Sequence, residues 1–130
     1  MVVRWCGGGM SCAEQGERCV ARYLRREGYR LLGRNVHNRF GEIDIVAEAP
    51  DRRTIAIVEV KSSAQDRDGL PPEIHVNWRK QRRLVALAGQ LARRYRLSDR
   101  PIRFDVAGVH LPSGAAPVIR YHVGAFESHV

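Results

Sequence analysis

Apolar residues first recur at helical spacing after Ser11, where Gly16, Val20, Ala21 and Leu24 share one face. Ser11 stands where an N-cap belongs, Glu14 follows at capping-box spacing, and Gly28 closes the run. The pattern predicts a helix from Ser11 to about Glu27, with Arg18, Arg22, Arg25 and Arg26 mostly turned outward. Glu17 shares the apolar stripe. Two readings stay open for it: a buried carboxylate that needs a partner, or a first-turn acid that favours the positive end of the helix dipole.

The period then shortens. Tyr29 to Val36 reads as a first strand interrupted by Gly33, and His37-Asn38-Arg39-Phe40-Gly41 as a turn. Two β-branched runs follow, Gly41 to Ala47 and Thr54 to Lys61, separated by a polar segment with Pro50 and Asp51. That is the signature of a hairpin. Ser62 to Pro72 reads as a flexible polar loop, placed where a substrate-contacting segment is expected. A second helix is expected from Glu73 or Val76 to Leu97, with Gln81, Leu84, Val85, Ala88, Leu91, Ala92 and Tyr95 as its core face. Strands at Ile102–Val109 and Val118–Val123 complete the order α-β-β-β-α-β-β. A strand, a crossover helix and a strand imply one parallel pair, hence an α/β domain with a mixed sheet. Residues 11–130 are expected to form this one domain, and residues 1–10, with Gly7-Gly8-Gly9, a disordered tail with Met10 as a second candidate start.

Strand alternation puts Glu59 and Lys61 on one side of the hairpin, and pairing brings Asp44 toward them. Two carboxylates beside an ammonium inside apolar strands call for a reason. A structural Glu59–Lys61 salt bridge is the plain one. The chemical one is a divalent cation on hard oxygen ligands, with Asp44 and Glu59 as metal ligands and Glu17 as a third. Mg²⁺ suits such a set, or Mn²⁺ in its place, because it keeps several waters and takes only one or two carboxylates. Lys61 would then orient or deprotonate a water, or neutralise charge developing on a phosphate.

Charge sharpens this. The formal net charge is +8, and Lys61 and Lys80 are the only lysines among 22 cationic side chains. From Trp78 to Leu97 there is no acidic residue, while Arg79, Lys80, Arg82, Arg83, Arg93, Arg94 and Arg96 crowd one helix. A one-signed helix repels itself and suits a polyanionic partner, nucleic acid above all. An Arg-rich solvated face is the alternative. If about six of these side chains met duplex phosphates, the salt slope would be about −5. Arg79, Lys80, Gln81, Arg82 and Arg83 are the expected nucleic-acid-binding set. Cys6, Cys12 and Cys19 have no metal or CxxC spacing and suit a reduced, cytoplasmic compartment. No segment has the length and apolarity of a membrane span. Trp78 reads as a packing anchor before a base-stacking group, Glu42 as a strand-entrance or site residue, and Asp105 as a neighbour of Glu59 with a minor supporting role. His37 and His75 are not expected as ligands.

The chain resembles the PD-(D/E)xK nuclease superfamily of restriction-endonuclease-like fold, and within it the YraN-like family. The matching stretches are Gly16-Glu17 with Ala21, Leu24 and Gly28-Tyr29; Asn35; Phe40 to Ala47; and Val58-Glu59-Val60-Lys61. Val76-Asn77, Lys80 to Leu84, Phe104-Asp105-Val106 and Ala125-Phe126 also fit, so the likeness covers about residues 12–126. It implies an αβββαβ core, a mixed central sheet flanked by helices, with Asp44, Glu59 and Lys61 in the nuclease motif positions. Glu17 matches the first-helix glutamate that archaeal-type Holliday junction resolvases use as an additional metal ligand. Lys80 or Gln81 falls where related nucleases place a supporting polar residue. Ser63 stands where the family often has a basic residue, which removes one phosphate contact. The implied activity is Mg²⁺-dependent DNA endonuclease cleavage, on branched or damaged DNA in repair or recombination, with a homodimer compatible with two cuts. The alternatives are a catalytically inactive nucleic-acid-binding module of the same fold and a structural protein whose basic helix docks an acidic subunit.

Overall fold

Ser11 caps the first helix as its spacing predicts: its hydroxyl oxygen accepts the Glu14 N–H at 3.1 Å. This helix, α1, runs Cys12–Arg26, and the chain leaves it through Gly28 at φ 91°, a conformation that favours glycine. In the computed structural model, residues 11–39, 41–63, 77–112 and 114–126 are described. The segments expected as an N-terminal tail and as the loop around residues 64–76, with His75 and the earlier expected helix starts, lie outside them.

Five strands follow in one sheet: β1 Arg30–Asn38, β2 Gly41–Glu48, β3 Ile55–Ser63, β4 Ile102–His110 and β5 Val118–Phe126. Their spatial order is their chain order. Only β3 and β4 pair in parallel, and α2, Trp78–Arg94, is the crossover between them. The mixed α/β sheet flanked by helices is therefore as expected, consistent with a restriction-endonuclease-like core. Alternation along β3 sorts the core into two clusters. Ala56 and Val58 pack with Val20, Ala21 and Leu24 of α1, whereas Ile55 and Ile57 pack with Leu84, Leu87 and Ala88 of α2.

Three expectations need correction. Leu87, not Tyr95, belongs to the buried stripe of α2; Tyr95 is the C-cap and is 58% exposed, because the helix ends before it. Trp78 is not a packing anchor. It is 60% exposed in the first turn of α2, with the Arg82 guanidinium 5.3 Å from its ring centroid. Asp105 does not stand beside Glu59: it pairs with Val58, and parallel register puts both on the α1 face, opposite to Glu59.

The close approach of α1 to β3 depends on Gly16. A Cβ there would overlap Ser62 Oγ and stand 2.9 Å from Ser62 Cβ. Gly16→Ala gains helix propensity but overpacks this contact, so a net loss of about 1–2 kcal/mol is expected in denaturant melts. The loss should shrink in a Ser62→Ala background, which removes the overlapping oxygen. A Gly16→Ala protein as stable as the parent would show that α1 does not need this proximity.

Candidate active site

The sheet opens at one point. Register between β2 and β3 runs from Glu48/Ile55 to Ile45/Val58 and ends there. Beyond it β2 continues with β1 as far as Asn38/Gly41, and β3 continues with β4 as far as Ser63/His110. Asp44 sits at the fork. Its carboxylate accepts the Val60 N–H at 2.8 Å, supplying the acceptor that the ladder no longer does. The same position breaks alternation in β2, since Ile43 packs on the α2 side and Ile45 on the α1 side. On β1, between the partners of Ile43 and Ile45, Asn35 adopts φ 50°, a left-handed conformation that asparagine tolerates.

Into this fork come the carboxylates. Asp44, Glu59 and Glu42 line a cavity of about 230 Å³ with Gly41, Lys80, Arg83, Leu84 and Leu87. Burial pushes the Asp44 carboxyl up to about 7, helped by the neighbouring Glu59 and Glu17 charges and opposed by the Val60 N–H and Lys80. Glu17 enters from α1. It is buried, and its Oε1 has no hydrogen-bond partner. Burial raises its pKa, Arg34 opposes this, Glu42 adds to it, and a hydrogen bond with Asn35 holds it down. The buried reading of Glu17 is thus the one realised. Glu59 is buried and ion-paired with Lys80 of α2. Its partner is not Lys61, so the plain strand-internal salt bridge does not form.

Lys61 shares the face of Glu59 by alternation, is partly buried and does not line the cavity. Of the basic set on α2, Arg79, Arg82 and Arg83 are exposed, and Lys80 and Gln81 partly so. Asn77 caps this helix by accepting the Lys80 N–H at 3.0 Å, which fixes where the Lys80 stem begins. Asn38 donates to Gln90 at 2.9 Å and ties the β1–β2 turn to the same helix. Sequence reasoning did not single out Asn35 as a site residue. An isolated asparagine in a strand is a weak signal of a left-handed kink.

Among the described residues, no three Asp, Glu, His or Cys side chains stand close enough to hold a metal ion. What the site does offer is a pair, Asp44 and Glu59, in one cavity, with the orphaned Glu17 oxygen behind it. That donor chemistry fits Mg²⁺ or Mn²⁺, which take oxygen ligands and can be held by one or two carboxylates with water completing the shell.

The raised Asp44 carboxyl has a consequence for stability. The folded chain keeps this proton to about 7, whereas an unfolded aspartate releases it near 4, so between those values the folded state binds more protons. Stability falls as pH rises through that window. In the presence of a chelator, Asp44→Asn should therefore be more stable than the parent at pH 8, by about 1–3 kcal/mol, and should not show this decline. A less stable Asp44→Asn protein at pH 8 would mean that the carboxylate is structural.

The family model described as uncharacterised protein family UPF0102 matches residues 16–109, a span that contains Glu17, Asp44, Glu59, Lys61 and Lys80. A UPF0102 protein of Pelobacter propionicus is 40% identical over 113 residues, 87% of this chain and 80% of that protein. Another, of Alkaliphilus metalliredigens, is 41% identical over 116 residues, 89% of this chain and 97% of that protein. A third, of Syntrophus aciditrophicus, is 44% identical over 100 residues, 76% of each. The chain belongs to the UPF0102 family, related to the YraN-like members of the PD-(D/E)xK superfamily.

Proposed function

We propose that this protein is a divalent-metal-dependent DNA endonuclease. The observation that carries this reading is the fork at Asp44, where Asp44 and Glu59 meet in one cavity beneath the cationic side chains of α2. Carboxylates repel phosphate, so a pure binding surface gains nothing by gathering them there. With a cation they become useful. Asp44 and Glu59 would hold it, and Glu17 would approach from α1. When bound, Mg²⁺ or Mn²⁺ would supply Lewis acidity to the scissile phosphate and to the attacking water. Lys61, on the Glu59 face, can hold or accept a proton of that water or neutralise charge building on phosphorus. Arg79, Arg82 and Arg83 are exposed to take flanking phosphates. The likeness of Glu17 to the resolvase glutamate supports branched DNA as the substrate class to try first.

A second reading has its own observation. Lys80 already neutralises Glu59, and no three-ligand cluster exists among the described residues. An inactive module would bind nucleic acid in a salt-dependent way, with no turnover and no response to chelators.

Incubation with branched, flapped and linear DNA, with Mg²⁺ or Mn²⁺ and with EDTA, separates the two. Cleavage should require the metal and vanish in Asp44→Ala and Glu59→Ala, while Lys61→Ala should slow it by about 10²–10⁴ without weakening binding. Cleavage that persists in EDTA, or with both carboxylates removed, would sink the endonuclease reading. Binding should be salt-dependent, and Arg79→Ala, Arg82→Ala or Arg83→Ala should each flatten the salt slope by about 1. Unchanged slopes in all three would place the phosphates elsewhere.

A further inference from the structure

Two lysines, Lys61 and Lys80, compete for the buried Glu59, and the pairing that forms is not the obvious one. Lys61 lies two residues from Glu59 on the same strand face, yet makes no ion pair among the described residues. Glu59 is instead paired by Lys80, which reaches in from the first turn of α2. The pair is lopsided: the Glu59 side chain is 5% exposed and the Lys80 side chain 39%. The carboxylate is held in place by the strand, whereas the ammonium sits on a flexible stem at the rim of the cavity with room to withdraw. Arg79 and Arg83, the second of which also lines the cavity, stand exposed on either side of Lys80 along the helix. A phosphate drawn to those arginines arrives within reach of the same ammonium.

Resting on the endonuclease reading, we propose that Lys80 is an internal counter-ion that occupies Glu59 until nucleic acid arrives, then transfers to a phosphate oxygen and frees Glu59 for a divalent cation. The competition is direct. An ammonium N–H and a metal ion use the same carboxylate lone pairs, and two cations crowded on one carboxylate repel each other. Without nucleic acid, Lys80 keeps the buried carboxylate neutralised and the metal weakly held. With nucleic acid, the ammonium has a second anion to satisfy it, and Glu59 becomes available. Metal and nucleic acid then favour each other's binding by the same factor, as linkage requires. A metal that touches phosphate directly contributes coupling of its own. The part due to Lys80 is the part that disappears when the ammonium is removed.

The test is Mn²⁺ titration by calorimetry on the full chain, with and without a short duplex made non-cleavable by phosphorothioate linkages. Lys80→Met removes the charge and keeps an unbranched stem; Lys80→Gln is a second neutral variant should the first pack differently. Both should bind Mn²⁺ about tenfold more tightly than the parent without duplex, since a half-exposed ion pair has been removed. The duplex should raise Mn²⁺ affinity more in the parent than in either variant. Equal or weaker Mn²⁺ binding by both variants without duplex, or identical coupling in all three proteins, overturns the inference. That failure is separable from failure of the endonuclease reading, which is judged by Mn²⁺ binding and cleavage in Asp44→Ala and Glu59→Ala. A parent that cleaves DNA but whose Lys80 variants bind Mn²⁺ unchanged loses only this inference. A parent that binds no Mn²⁺ with or without duplex, and does not cleave, loses both.

Discussion

The Val60 N–H is where the sheet and the candidate site depend on each other. In an unbroken hairpin that donor would go to a carbonyl of β2. Here the Asp44 carboxylate accepts it, and pairing of β2 with β3 stops at Ile45 and Val58, one residue short of Asp44 and two short of Val60. The bond does two jobs that would otherwise conflict. It leaves no buried donor unsatisfied, and it lets β2 follow β1 while β3 follows β4, so that a cavity opens between strands that are neighbours elsewhere. Any acidic residue that cannot bend back to Val60 would leave an orphaned amide at the fork. Asp44 thus closes the strand through Oδ2 while its side chain also lines the cavity.

The other face of the sheet shows how this chain treats a carboxylate that belongs to the scaffold. Asp105 is fully buried and completely satisfied. Arg103 donates to both its oxygens at 2.9 and 2.8 Å, Tyr121 donates at 2.6 Å, and the Gly124 N–H at 2.9 Å. Tyr29 accepts from the same guanidinium at 2.6 Å, and burial together with Asp105 raises the Tyr121 pKa so that its hydroxyl stays a donor. The network clamps β4 to β5 and to the chain leaving α1. Glue of this kind is available to the fold, and the fork does not use it. Glu17 Oε1 is orphaned, Asp44 is pushed up by burial and then by its acidic neighbours, and Glu59 relies on one half-exposed lysine. The contrast argues that the deficit at the fork is a property of that place and not of loosely built carboxylates in general.

Where the sequence could be read and where it could not follows from the range of the interactions. The strand period alone places Glu59 and Lys61 together, and the capping residues Ser11 and Gly28 bound α1 within a residue. The helical period puts Glu17 on the inner face, but whether it is buried depends on how closely α1 lies on β3, which Gly16 and Ser62 settle across the fold. Lys80 as the partner of Glu59 was out of reach. Period two favours Lys61, and nothing local says that a helix beginning at Trp78 will point its third residue into the fork. Asp105 was misplaced for a related reason: its face follows from parallel register with Val58, and register is a tertiary property. Trp78 and Tyr95 fit an apolar stripe by type, yet they lie at the ends of α2, and both are exposed there.

The helix α2 brings these strands of reasoning together. Leu84, Leu87 and Ala88 hold it to the sheet, while Lys80 and Arg83, one turn nearer its start, border the cavity and Arg79 and Arg82 face solvent. One stripe therefore passes from core to site along its length. The absence of acids on this helix is a cost in self-repulsion that packing alone would not select. It makes sense as screening. Under the proposed function, a phosphate approaching three carboxylates across open water would be turned away, but here it would meet a cationic rim before it felt the acidic floor. The same arrangement explains why the floor can remain acidic without a metal: Lys80 is the rim's nearest member and already leans onto Glu59. Under the proposed function, attraction of a polyanion and readiness for a cation would be two effects of a single helix face, positioned by Asn77 at its start and by Asn38 from the hairpin below.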